Sequence, residues 1–185
     1  MPDRSLSARL LLPAAPSHAG RRIGFFPGST IGNFTRPEAV SFLRSARRTL
    51  EGAPLLIGVD LVKDPDILHA AYNDSEGVTA AFNLNLLLRA NREADADFDP
   101  AAFAHHASYN PVAQRMEMYL ISRKAQRVQI GDEVMAFAEG EAIHTEDSHK
   151  YTLDGFKAVA AEAGYRQTKV WTDPARLFSV QWLQV

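Results

Sequence analysis

The run Ile143-His-Thr-Glu-Asp-Ser-His-Lys-Tyr151 crowds two acids, two imidazoles and hydroxyl side chains into one short stretch. Glu146 and Ser148 lie two apart, so on an extended backbone both face the same side. A carboxylate and a hydroxyl placed in this way can grip both nitrogens of an imidazole. His144 and His149 with Glu146 suggest a metal instead. However, i, i+5 spacing fits neither a helix face nor an alternating strand, and no third ligand stands out, so no metal is assigned. The plain structural alternative is a solvated polar hinge.

A second candidate is Gly28-Ser-Thr-Ile-Gly-Asn33. Its two glycines let the backbone approach a ligand, and Ser29, Thr30 and Asn33 offer hydrogen bonds. No Lys follows, and the glycine spacing fits neither nucleotide fingerprint. The alternative here is a tight strand–helix turn with Asn33 as a helix cap. A third group, Tyr72, Thr79, Asn83 and Asn85, falls in or near expected helices, where such residues commonly cap or face solvent. His18, His69, His105 and His106 read as exposed or incidentally packed. No Ser or Cys nucleophile arrangement is visible.

Composition bounds the rest. The chain has 185 residues and no cysteine, which excludes disulfides, thiolate metal sites and Cys nucleophiles and is compatible with a cytoplasmic location. A net charge of −2 with dispersed signs leaves no basic stripe for nucleic acid. No apolar run reaches the ~18 residues a bilayer span requires. Leu10-Leu-Leu-Pro13 is too short for a signal peptide and is interrupted by proline, so residues 1–20 read as a partly ordered lead-in.

These residues need elements to position them. Ile23–Pro27 reads as a buried strand, Arg36–Leu50 as an amphipathic helix ended by Gly52, and Leu55–Leu61 as a strand apolar on both faces. Strand, helix and strand at these lengths form a βαβ unit. From Asp64 the texture changes. Helices are expected over Asp66–Tyr72, Gly77–Glu93 and Pro100–His105. Strands follow over Ser108–Asn110, Arg115–Ser122, Ala125–Ile130 and Glu133–Phe137, with Gly131-Asp132 as a turn. The α/β texture returns with a helix over Leu153–Ala163, capped by Thr152 and closed by Gly164, then strands over Arg166–Thr172 and Phe178–Val185. The expected organisation is thus a lead-in (1–20), an α/β domain from 21–62 and 150–185, and an α+β insertion at 63–149.

Taken together, Phe25-Phe-Pro-Gly-Ser-Thr-Ile-Gly-Asn-Phe34, Leu56-Ile-Gly-Val-Asp-Leu-Val-Lys-Asp64, Ala71-Tyr-Asn-Asp-Ser-Glu-Gly-Val-Thr-Ala-Ala-Phe-Asn-Leu-Asn85 and Thr145-Glu-Asp-Ser-His-Lys150 resemble the histidine-specific, S-adenosylmethionine-dependent methyltransferases. That family includes the histidine Nα-methyltransferase of ergothioneine biosynthesis. The resemblance runs from about Arg22 to the C-terminus. It implies a Rossmann-like seven-stranded methyltransferase sheet with an inserted substrate-binding domain, of which this chain holds the C-terminal part.

The resemblance also implies roles. Asn33 and Tyr72 would hold the α-amino and carboxylate end of an amino acid, and Gly28 would border that pocket. Glu146 and Ser148 would recognise the imidazole, with Thr79 and Met118 lining the pocket. S-adenosylmethionine would be the cofactor, but its main site, a glycine-rich loop and a following acid, belongs to a preceding half with no counterpart here. The expected function is N-methylation of histidine or a similar amino acid, with the isolated chain inactive. It would be completed by a separate N-terminal half or a homo-oligomer partner, without nucleic acid or membrane. The alternative is a non-catalytic amino-acid-binding or interaction module.

Overall fold

The computed structural model describes residues 22–185. Residues 1–21, including the expected lead-in and His18, lie outside that description. The chain divides into two compact units. One takes the described residues through Val62 together with His149–Val185, and the other is Lys63–Ser148.

The first unit is a four-stranded sheet in the order β1 (Gly24–Phe26), β2 (Leu55–Asp60), β9 (Phe178–Gln184), β8 (Arg166–Thr172). β1 and β2 run parallel, and β9 is antiparallel to both its neighbours. Helix α1 (Arg36–Thr49) makes the right-length crossover between β1 and β2, and α4 (Leu153–Glu162) precedes β8. Both helices turn an apolar stripe to one sheet face. Val40 and Leu43 from α1, Phe156 and Val159 from α4, and Leu55, Ile57, Val59 and Leu183 from the strands close one core. The helix ends follow local chemistry. Glu38 reaches back to accept from both the backbone N–H and the hydroxyl of Thr35, at 2.8 and 2.6 Å. Thr152 Oγ1 accepts from Gly155 N. Thr35, rather than Asn33, is therefore the residue before the helix that its first turn uses. Asn33 instead ends a short 3-10 turn over Thr30–Asn33.

β1 departs from expectation. Its apolar run predicts a buried strand, yet Phe25 is 69% exposed. The strand lies at the sheet edge, and α1 and α4 cover only the face carrying the Leu55, Ile57 and Val59 row.

The second unit starts with helices α2 (Pro65–Tyr72) and α3 (Val78–Glu93). A three-stranded sheet follows in the order β3 (Phe103–Asn110), β4 (Arg115–Ser122), β7 (Ala142–His149), along with a hairpin of β5 (Gln126–Ile130) and β6 (Glu133–Phe137). The helix expected over Pro100–His105 shrinks to a 3-10 turn at Pro100–Ala102. From Phe103 the chain pairs residue by residue with β4, and this long antiparallel ladder overrides the local helical tendency. The polar run at 142–149 is likewise a strand rather than a hinge. β4 alternates fully, with Met116, Met118, Leu120 and Ser122 buried and Arg115, Glu117, Tyr119 and Ile121 half-exposed.

Candidate functional site

Each unit carries part of the candidate set. In the first, the chain leaves β1 through Gly28 at φ 74° and Ser29 at φ 58°, both in the left-handed region. Ser29 is buried and accepts the Asp60 N–H on its hydroxyl at 2.8 Å, tying the turn to the end of β2. Asn33 is exposed at the end of the turn that follows. The Asp60 carboxylate pairs with the ammonium of Lys150 at 2.9 Å, and the lysine side chain is only 1% exposed.

In the second unit, Tyr72, Met118 and Ser148 come together. Tyr72 closes α2 and donates its hydroxyl to Ser148 Oγ at 2.8 Å. Its ring packs against buried Leu68, Ala107, Met116 and Met118. The Met118 carbonyl accepts from Thr145 Oγ1 at 3.0 Å, which fastens β7 to β4 beside the pair. Ser148 is buried, and Glu146 sits half-buried two positions before it on the same strand. Thr79 lies in the first turn of α3, where Asp74 accepts its N–H at 2.9 Å and that of Val78 at 2.8 Å. The Thr79 hydroxyl first, and then these backbone N–H groups, lower the Asp74 pKa to about 2.

The opposite side of β4 carries a charged network of which the sequence candidates held only His144 and Asp147. Arg115 bonds Glu117 and Asp147, each at 2.8 Å. Tyr119 donates to Glu117 at 2.7 Å, and its ring stacks on that of His144, centroids 4.9 Å apart. His144 Nε2 is 2.9 Å from Asp147. The Tyr119 hydroxyl and then Arg115 hold the Glu117 carboxyl down at about 2. The only available sequence signal is the strict alternation of Arg115, Glu117 and Tyr119, which assigns them one strand face but no partners. Two histidines read as incidental are also engaged. His69 Nε2 accepts from Tyr109 N at 3.2 Å, and His105 uses both ring nitrogens. Among the described residues no group of three or more His, Asp or Glu gathers as a metal site, and no helix is long and apolar enough to cross a membrane.

A family model described as "Histidine-specific methyltransferase, SAM-dependent" matches residues 7–185. The chain belongs to this family. A histidine N-alpha-methyltransferase of Mycolicibacterium smegmatis is 49% identical over 88% of the chain and 52% of its own length. The Mycobacterium tuberculosis protein of the same name is 43% identical over 87% of the chain and 51% of its length. "Ergothioneine biosynthesis protein 1" of Neurospora crassa is 32% identical over 78% of the chain and 17% of its length. The chain thus spans about half the length of its bacterial relatives, or less.

The family's methyl donor is S-adenosylmethionine. Among the described residues, the strand-end acid that could meet a ribose, Asp60, is held by Lys150. The Ser29 hydroxyl accepts the Asp60 N–H at the end of β2. Of the sequence-chosen residues, Gly28 and Asn33 belong to the first unit, and Tyr72, Thr79, Met118, Glu146 and Ser148 to the second.

Proposed function

We propose that this protein serves the S-adenosylmethionine-dependent N-methylation of the α-amino group of histidine, or of a similar amino acid. Its second unit, residues 63–148, would be the substrate-binding domain. The observation that carries the reading is the Tyr72–Ser148 hydrogen bond at 2.8 Å, formed one strand position-pair from Glu146. It holds the Ser148 oxygen in one place, so that carboxylate and hydroxyl offer a fixed pair to an imidazole. Family membership and 49% identity to a histidine N-alpha-methyltransferase support the same substrate class.

The donor supplies an electrophilic methyl group, and the chemistry left to these residues is placement. These residues would fix the position and direction of a neutral amine, and such placement contributes much of the rate of a transfer of this kind. Tyr72 would hold the amino-acid end. Thr79 and Met118 would line the pocket. No residue here is assigned as the base that takes the amine's proton.

Calorimetry with histidine tests the reading. Glu146→Gln keeps the shape but removes the charge, and should weaken histidine binding by about tenfold or more. Unchanged affinity would remove the imidazole assignment. A second reading, an amino-acid-binding module without methyl transfer, is favoured by Asp60, whose carboxylate is paired with buried Lys150. Histidine binding with neither S-adenosylmethionine uptake nor methylated product by mass spectrometry would select it.

A further inference from the structure

Tyr72 is the last residue of α2, and its carbonyl is among those a helix cannot satisfy internally. His105 Nε2 meets that carbonyl at 2.8 Å from β3. The other ring nitrogen, Nδ1, lies 3.0 Å from the side-chain amide nitrogen of Asn83 on α3. That same amide nitrogen donates to the Tyr119 carbonyl at 3.1 Å, and Asn83 is only 1% exposed.

These contacts determine where the protons are. Turning the Asn83 amide over would set its oxygen against the Tyr119 carbonyl, so the NH2 group is the one facing β4 and His105. An NH2 group only donates, so Nδ1 must accept. The ring proton is then on Nε2, where it donates to the carbonyl of Tyr72. A neighbouring clamp strengthens the seam. The Asn73 amide accepts from Ala107 N at 3.0 Å and donates to Ala107 O at 2.9 Å. His105 and Ala107 are alternate residues on the β3 face paired to buried Leu120 and Met118.

We infer that His105, fixed in its Nε2–H tautomer by Asn83, is a positioning residue that sets the end of α2 and hence the Tyr72 hydroxyl on Ser148. The inference rests on the proposed reading of Tyr72 and Ser148 as pocket residues. His105 acts through Tyr72, and no contact of its own with substrate is required. Asn83 links this relay to β4, so α3, β3 and the end of α2 are fixed by one buried amide.

The test uses the whole protein and three readouts. Nitrogen-15 NMR of the histidine rings should show His105 with an unprotonated Nδ1 and a protonated Nε2; the reverse assignment would overturn the inference. His105→Leu removes the donor and keeps most of the bulk. It should shift the Tyr72 ring resonances and weaken histidine binding by about tenfold, the worth of one ordinary hydrogen bond. His105→Gln returns an N–H to the Nε2 position and should recover both to within about threefold of the wild type. Equal damage in the Leu and Gln variants, or Tyr72 resonances unmoved by the Leu change, would overturn the positioning role. Should Leu at this position prevent folding, the Gln variant and the wild-type tautomer still decide the matter. Ser148→Ala separates the two claims. If neither it nor Glu146→Gln affects histidine binding, the pocket reading fails, while the ring NMR and Tyr72 resonances still judge the relay. If both weaken binding and His105→Leu does not, the relay alone fails.

Discussion

Glu117 shows how much one side chain depends on neighbours that its own sequence position does not reveal. It receives the Tyr119 hydroxyl, the Arg115 guanidinium and the Asn110 amide, and its carboxyl is held near 2 instead of the ordinary 4.5. A carboxyl whose folded value is depressed contributes stability that is present above its unfolded value and lost as pH falls toward the folded one. The expected outcome is an acid limb of the stability curve between roughly pH 4.5 and 2, flattened in Glu117→Gln. Carbon-13 NMR of the carboxyl should give a midpoint near 2, and a midpoint at the ordinary value would mean that the Tyr119 and Arg115 contacts do not persist in solution. At this scale the sequence disclosed residue types and spacing but not partners. Glu146 and Ser148 stood out because two positions on an extended chain share a side. Tyr72 and Ser148 are 76 residues apart, and nothing local pairs them. His105 looked incidental because its partners are a carbonyl and an amide from two other elements.

Elements were legible where local and tertiary demands agree. In α1, Pro37 in the first turn, Glu38 reaching back to Thr35, and the Val40 and Leu43 stripe point the same way, and the helix lies where its pattern puts it. The polar run at 142–149 has no alternation of polarity, because its two faces meet different polar partners: Asp147 meets Arg115, and Ser148 meets Tyr72. Pairing with β4 makes it a strand, and that is a long-range fact. Pro100–His105 failed for the same reason in reverse. The β2 strand adds a packing demand that composition does not show. A methyl group at Gly58 would lie 2.8 Å from the Phe178 ring and 3.3 Å from the backbone nitrogen of Gly28. Gly58→Ala should therefore cost about 1–3 kcal/mol, the usual penalty of overpacking. It should also disturb the turn that carries Gly28. Urea denaturation measures the first effect and Gly28 amide chemical shifts the second. An unaltered midpoint would show that the Phe178 ring yields at little cost.

At the scale of the whole chain, the path leaves the first unit after Val62 and returns to it at His149. Just inside the first unit, backbone bonds join Val62 N to Tyr151 O and Tyr151 N to Asp60 O, at 3.0 Å each. The ion pair of Asp60 with Lys150 sits on the same two strands of chain. Two of the four segments that carry the family resemblance, Leu56–Asp64 and Thr145–Lys150, therefore meet in this pair. A buried pair of this kind need not be more stabilising than two apolar groups. Breaking it from one side is costly, because the remaining charge keeps its burial and loses its partner. With Lys150 only 1% and Asp60 17% exposed, Lys150→Met should destabilise the first unit by about 3 kcal/mol, the lower end for a buried pair broken from one side. Both tryptophans of the chain, Trp171 and Trp182, lie in β8 and β9 of that unit, so their fluorescence during urea unfolding reports on it directly. Pairing Lys150→Met with Asp60→Leu removes the stranded charge and should recover most of the loss. A single-variant cost below about 1 kcal/mol would mean that the pair is solvated like a surface bridge. The two segments would then be held together by their backbone bonds alone.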